Sequence, residues 1–377
     1  MKKRFVYADN AATTAISPYV IEKMLPFLTE QYGNASAVYS KGRKARTAVE
    51  TAREQIAAAL SCSPEEIFFT SGGTESDNWA VRGVCQAAKG KNHIITSSIE
   101  HHAVLNTCRF LGQNGYRITY IPVDSSGTVN PDDIEKAIAP DTALVSIMYA
   151  CNETGVIQPV SEIGNICRKH AVPFHTDAVQ AAGHLEINVN EQNISLLSIS
   201  GHKIHAPKGT GALYIRKGTN ISNLMFGGAQ ENSLRPGTEN TAAIVGLGAA
   251  FEKLSSDMDT NRRHTEKIRN RLESRLSESK RISVNGISGQ RLPGISNITV
   301  KGADGEQILL MLDLKGICAS AGSACTSGSS EPSHVLKAMG LSDADAYSSL
   351  RFSFGHLNSA DDADYIADTL NEILRKL

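Results

Sequence analysis

Leu196-Leu-Ser-Ile-Ser-Gly-His-Lys203 is the stretch from which the rest of the chain is read. Its apolar run ends in Ser200-Gly201-His202-Lys203. A Gly/Pro-rich turn, Ile204-His-Ala-Pro-Lys-Gly-Thr-Gly211, then leads to a second strand-like run from Ala212 to Arg216. A lysine so placed is delivered into a cleft by the last side chains of a buried strand. A desolvated ammonium loses its proton readily, which suits Schiff-base chemistry. The plainer alternative is a surface lysine in a polar hairpin, the reading to prefer for an isolated lysine. What decides between them is the set of residues gathered around it.

Working outward, polar and small residues at Asp9-Asn-Ala-Ala-Thr-Thr14 form a turn, and a helix is expected from Pro18 to Gln31 with proline in its first turn. Tyr32-Gly-Asn-Ala-Ser36 reads as a loop and Lys41 to Leu60 as a long amphipathic helix. Alternation follows: strands at 67–70, 93–97, 117–123, 143–150 and 173–176, separated by helices at 75–88, 102–113, 131–138 and 160–169. Strands regularly separated by helices imply a mostly parallel sheet covered on both faces, with ligands at the carboxyl ends of the strands. From Thr241 to Ser279 the composition is helical, broken at Ser255-Ser-Asp257 and Asp259-Thr-Asn261. Short strands (282–284, 295–300, 317–319, 350–354), a helix at 306–314 and a terminal helix from Ala360 to Leu377 suggest a smaller α+β domain.

Composition sets the bounds. At 377 residues the chain is too long for one core, and 41% apolar with 20% charged content suits an α/β enzyme. A net charge of −1 leaves no footprint for direct nucleic-acid or membrane binding, and no apolar run approaches the roughly 18 residues of a membrane span. Met1-Lys-Lys-Arg4 begins like a signal peptide, but Asp9-Asn10 stops the apolar segment early, so the cytoplasm is expected. The cysteines at 62, 85, 108, 151, 167, 318 and 325 agree, being odd in number and without metal-binding spacing.

Three connections would converge on the lysine. Thr70-Ser-Gly-Gly-Thr-Glu-Ser76 joins a strand to a helix, whose N-terminus is a natural anion site; the same glycines could merely make a tight turn. Asp177, in Phe174-His-Thr-Asp-Ala-Val-Gln180, is either a helix N-cap or a carboxylate holding a cationic ring nitrogen. Glu100-His101-His102 places a histidine where it could cap, bind metal or lay its ring on a planar cofactor, although adjacent histidines seldom point at one ion.

Asp177 and Gln180 followed by Ser200-x-His202-Lys203 resemble the signature of fold-type I pyridoxal phosphate (PLP) enzymes of the aminotransferase class V group. Within that group, Ala321-Gly-Ser-Ala-Cys-Thr-Ser327 is similar to the active-site loop of group I cysteine desulfurases, the NifS/IscS type. Further matches span the chain: Asp9 to Thr14, Tyr32-Gly-Asn34, Thr70 to Asn78, Glu100-His101, Asn152-Glu153, Arg235-Pro-Gly-Thr238 and Leu350-Arg351-Phe352. The family often has Asn where this chain has Cys151 and Tyr where it has His205; Cys151 is expected to pack beside the cofactor without reacting.

The resemblance implies an α/β fold of type I, a PLP-dependent transferase whose large domain (15–255) carries a mostly parallel seven-stranded sheet. A smaller α+β domain (1–14 and 256–377) would carry the cysteine loop. It implies that Lys203 holds the cofactor, Asp177 pairs with the ring nitrogen, Gln180 binds the ring oxygen and His101 stacks on the ring and shuttles protons. Gly73, Thr74, Ser200 and His202 would hold the phosphate, with Thr238 reaching in from the second subunit of a homodimer. Arg351 would bind the carboxylate of L-cysteine, with Asn34 and Asn152 as neutral helpers. Cys325, in a run of Ala, Gly, Ser and Thr from 320 to 330, would take the sulfur as a persulfide and pass it to an acceptor, an iron–sulfur scaffold or a tRNA-thiolation enzyme. No resident metal is implied.

Two rivals share some of these residues. Ser200-Gly-His-Lys203 is formally S-x-x-K and Ser76-Asp-Asn78 is S-D-N, as in penicillin-recognising hydrolases, but their order is reversed and Lys208-Gly-Thr-Gly211 is not K-T-G. A catalytically silent sulfur carrier or scaffold built on an enzyme fold would keep the same motifs.

Overall fold

Strand residues send successive side chains to opposite faces, and here the two faces bury two separate apolar clusters. Phe69, Ile95, Val145 and Tyr214 enter one; their neighbours Phe68, Ile94, Leu144 and Leu213 enter the other. The computed structural model describes residues 4–321 and 331–377, so Cys325 lies outside the described residues. Its strands are β1 (Val6–Tyr7), β2 (Ile67–Thr70), β3 (His93–Ser97), β4 (Arg117–Ile121), β5 (Thr142–Ser146), β6 (Phe174–Asp177), β7 (Leu196–Ser200) and β8 (Gly211–Ile215). There follow β9 (Ile282–Val284), β10 (Ile295–Val300), β11 (Ile317–Cys318), β12 (Ser320–Ala321) and β13 (Ser349–Ser353).

Strands β2 to β8 form one seven-stranded sheet in the order β2-β8-β7-β6-β5-β3-β4. Pairing is parallel from β7 through β4, and β8 runs antiparallel to both its neighbours. β5, β6 and β7 are buried along their whole length, as strands covered on both faces must be. The helices between them are α1 (Pro18–Thr29), α2 (Ser40–Leu60), α3 (Gly73–Ala87), α4 (His102–Gln113), α5 (Pro131–Ala137) and α6 (Val160–Lys169).

The expected break in the next helix is absent. α7 runs unbroken from Thr241 to Leu276, 36 residues. Its polar stretch holds because Lys253 and Asp257 pair one turn apart at 2.9 Å and Ser256 Oγ donates to the Lys253 carbonyl. The expected strand at 317–319 is split: β11 pairs with β1 and β12 with β13. The expected 143–150 strand ends at Ser146, beyond which Met148 and Ala150 line a cavity.

A second sheet, in the order β12-β13-β10-β9, is antiparallel. Its cluster joins Val6 and Ala8 to Ile268, Leu272, Ile298, Phe352, Ile366 and Leu370. The stretch after β1 crosses between the sheets: Asn10 N–H donates to the Ser353 carbonyl and Thr14 N–H to that of His202. That crossing lays Asp9 to Thr14 over the carboxyl end of β7.

Candidate active site

β7 ends at Ser200 and turns at once into a single 3-10 turn, Gly201–Lys203. A Cβ on Gly211 would stand 2.4 Å from the Ile199 carbonyl oxygen and 2.7 Å from Gly72 Cα, so glycine is what lets the two connections touch. Lys203 Nζ donates to the carbonyls of Ala11 at 2.5 Å and Ala12 at 2.8 Å. His202 places Nδ1 3.1 Å from Thr13 Oγ1. Burial, reinforced by the charges of Lys203 and Lys208, pushes that imidazole down to about 4, so it is neutral at physiological pH.

The turn after β2 reaches α3 through Gly72, whose φ of 149° favours glycine. First-turn N–H groups of a helix have no intrahelical acceptor, and here they open beside Thr74 and Ser200. The competing anion on that turn is occupied: Glu75 accepts two hydrogen bonds from Arg235, at 2.8 and 3.1 Å, and one from Ser71 N–H. Burial alone would raise the Glu75 carboxyl, yet these donors hold it below its ordinary value.

Opposite stands Asp177, the last residue of β6, buried and accepting from Val179 N–H at 2.9 Å. Burial raises its carboxyl, while the charges of His101 and Lys203 and the Val179 N–H oppose that rise. Gln180 Nε2 donates to the Ala11 carbonyl at 3.0 Å. His101 caps α4, its Nδ1 accepting from Ala103 N–H, so when the ring is neutral its proton sits on Nε2, and when protonated it bears on Asp177. One atom each of Asp77, His101 and Asp177 fall within 4.8 Å of one another.

These groups line one cavity of about 250 Å³. Gly73, Thr74, His101, Asn152, Asp177, Gln180, Ser200, His202, Lys203 and Arg351 all face it. Asn34 and Thr238 do not; both are exposed, and Asn34 Oδ1 accepts from Ser36 N–H within its own turn. Arg351 is buried, with one terminal nitrogen donating to Asp9 at 2.9 Å and the other to the Asn152 carbonyl at 2.8 Å. Asp9 in turn accepts from Ser320 Oγ at 2.8 Å. Sequence reasoning assigned no role to Asp9 or Asp77, because only tertiary pairing shows either one.

Cys151 is wholly buried among Ile99, Met148 and Leu336, with Sγ accepting from Glu153 N–H. Burial raises its thiol, and it raises those of Cys62, Cys85 and Cys167 to about 12. Thiols so placed stay protonated and unreactive.

The chain matches the aminotransferase class-V family over residues 6–366. It belongs to that family. The cysteine desulfurase IscS of Methanosarcina thermophila is 49% identical over 377 residues, covering 100% of this chain and 93% of the relative. A solved NifS-like protein superposes with a TM-score of 0.94 at 38% identity, covering 99% of this chain and 100% of the other. A second structure, SspA in complex with cysteine, gives 0.83 at 39% identity, over 93% and 99%. The class-V fold is therefore fold-type I α/β, and its cofactor is PLP. The cavity fits that group by the chemistry of its donors. A helix N-terminus with Thr74, Ser200 and His202 suits a phosphate, a buried carboxylate suits a cationic ring nitrogen, and the amine of Lys203 suits an aldehyde.

Proposed function

We propose that this class-V enzyme is a cysteine desulfurase: L-cysteine and the Cys325 thiol become L-alanine and a Cys325 persulfide. The observation that carries the reading is the placement of Lys203 and Asp177 in one buried cavity with Arg351 in its wall. Bound PLP supplies an electron sink for the pair left behind when a Cα proton departs. Thr74, Ser200 and His202, with the first turn of α3, hold its phosphate. Asp177 would keep a proton on the ring nitrogen, Gln180 would bond the ring oxygen, and His101 would stack on the ring. Arg351 binds the substrate carboxylate with Asn152 beside it, and Lys203 Nζ takes up the Cα proton. The Cys325 thiolate accepts the sulfur, breaking the Cβ–S bond and forming S–S.

Residues 15–255 form the cofactor-binding domain in this reading, and 1–14 with 256–377 the smaller one. The enzyme works as a homodimer in which Thr238 and Asn34, exposed in their own subunit, complete the partner's site; exposed Tyr32, Val38, Tyr39 and Phe226 would be covered by such a contact. The persulfide passes to an acceptor protein, an iron–sulfur scaffold or a thiolation enzyme, in the cytoplasm. No helix among the described residues is long and apolar enough to cross a membrane. Brief exposure to L-cysteine, with mass spectrometry of the protein and assay of alanine, tests the proposal. Wild type should carry an extra sulfur on Cys325 and release alanine, whereas Cys325→Ala should bind PLP normally and release alanine only at background. A persulfide mapped to Cys151, or undiminished alanine from Cys325→Ala, would move the nucleophile elsewhere.

A further inference from the structure

Ser76-Asp77-Asn78 lies in the first turns of α3, where the proposed chemistry gives it no task. Asp77 is nevertheless 1% exposed and lines the cavity three residues after Thr74, so one helix face carries both the phosphate-binding hydroxyl and a buried acid. Among the described residues its Oδ1 has no hydrogen-bond partner, and one of its carboxylate oxygens lies within 4.8 Å of one on Asp177.

The charges around Asp77 do not balance if it is ionised. From β6, Asp177 adds a second carboxylate, and His175 Nε2 stands 3.6 Å away. That imidazole is pushed down to about 3 by burial, and its nitrogens are engaged by Ser146 Oγ at 2.8 Å and Ser198 Oγ at 3.0 Å. It is neutral and cancels nothing. From the connection between β3 and α4 come His101, which acts on Asp177, and Glu100, a third buried acid. From β7 comes the neutral Ser198, and Lys203 beyond it also acts on Asp177. With His101 neutral, as its Nδ1 accepting from Ala103 N–H requires, a ring cation beside Asp177 can neutralise one carboxylate of the pair. The other must hold a proton, because two buried carboxylates this close cannot both ionise.

We propose that Asp77 is a protonated carboxylic acid that donates a hydrogen bond to Asp177, a positioning residue that keeps Asp177 ionised and aimed at the ring nitrogen. Burial and the neighbouring Asp177 charge both raise the Asp77 carboxyl well above its ordinary value, in keeping with that protonation. Without the donor, Asp177 would be the next site for the proton and would lose its hold on the ring cation. The inference rests on the assignment of Asp177 to the ring nitrogen.

The test compares Asp77→Asn, whose amide still donates, with Asp77→Ala, which donates nothing. Infrared difference spectra of wild type against Asp77→Asn, with and without cofactor, should show a protonated carboxyl band near neutral pH that the variant lacks. Turnover of Asp77→Asn should stay within about threefold of wild type, whereas Asp77→Ala should lose about tenfold or more, the worth of a hydrogen bond to a buried charge. In Asp77→Ala holoenzyme made with 15N-labelled PLP, the ring signal should move toward unprotonated pyridine and the visible band should titrate near neutral pH. Equal impairment of both variants with no infrared band would mean that Asp77 is an anion and overturn the proposal. A 15N signal and pH profile unmoved in Asp77→Ala, or a stoichiometric divalent metal lost in Asp77→Asn, would overturn it too. The infrared arm needs only the isosteric variant, so it stands if Asp77→Ala does not fold. Failure of the underlying assignment reads differently: Asp177→Asn would then leave the 15N signal unmoved while the Asp77 band remained.

Discussion

Asp177 and Lys203 share a cavity, which brings a carboxylate and an amine to one cofactor. Replacing Asp177 by Asn removes the charge that favours a protonated ring while leaving the phosphate cradle intact. Turnover should fall roughly a hundredfold, on the order of 3 kcal/mol of barrier, with PLP still bound by absorbance; near-normal turnover would make Asp177 only a cap. Glu100 offers a stability test. Its Oε1 accepts from Ser97 Oγ at 2.6 Å and Met148 N–H at 2.9 Å, while Oε2 has no partner among the described residues. Burial raises its carboxyl from 4.5 to about 8, so between those values the folded protein holds a proton that the unfolded chain has released. Its stabilising contribution is full below the lower value and is lost as pH rises through the upper one. Urea unfolding of Glu100→Gln should therefore match wild type near pH 4.5 and exceed it by on the order of 1–3 kcal/mol at pH 8 and above; a constant gap would contradict this. Lys203, Asp177, Ser200 and His202 were legible in the sequence because Asp177 and Ser200 close strands, His202 and Lys203 fall in the turn just after, and all keep a recognisable residue order. Asp77 and the Asp9–Arg351 pair were not, since their partners lie far away in the chain.

At the scale of elements, periodicity located the strands and helices of the large sheet to within a few residues. It missed that α7 is continuous, because Ser and Asp read locally as breakers while the Lys253–Asp257 pair and the packing of α7 hold the helix together. α7 packs closely on α2, and glycine is what permits it: a Cβ on Gly248 would lie 2.6 Å from Ala52 Cα and 2.7 Å from Ala52 Cβ. Gly248→Val should force the helices apart and cost about 1–3 kcal/mol, measured by urea unfolding of the apoprotein. Unchanged stability would show that the contact yields easily. The antiparallel β8 follows from its short link to β7, only ten residues between Ser200 and Gly211, too few for a helical crossover.

For the whole molecule, the site exists because two sheets meet across the stretch from Asp9 to Thr14. The large sheet supplies Asp177 and Lys203; the small one supplies Arg351 on β13 and Ser320 on β12, joined through Asp9. The sequence announced both sheets and the residues at their ends, and it marked Asp9 to Thr14 as a turn and a motif, but not that this stretch bridges the two sheets through partners far along the chain. The central claim is that Lys203 carries the PLP of this class-V enzyme in that cavity. The most direct measurement is borohydride reduction of the yellow holoprotein followed by peptide mass mapping. The account predicts one pyridoxyl phosphate group per chain, on Lys203, and none on Lys203→Ala, which should also lose the visible band of the lysine-bound cofactor. The modification mapped to another lysine, or retained in Lys203→Ala, would contradict it.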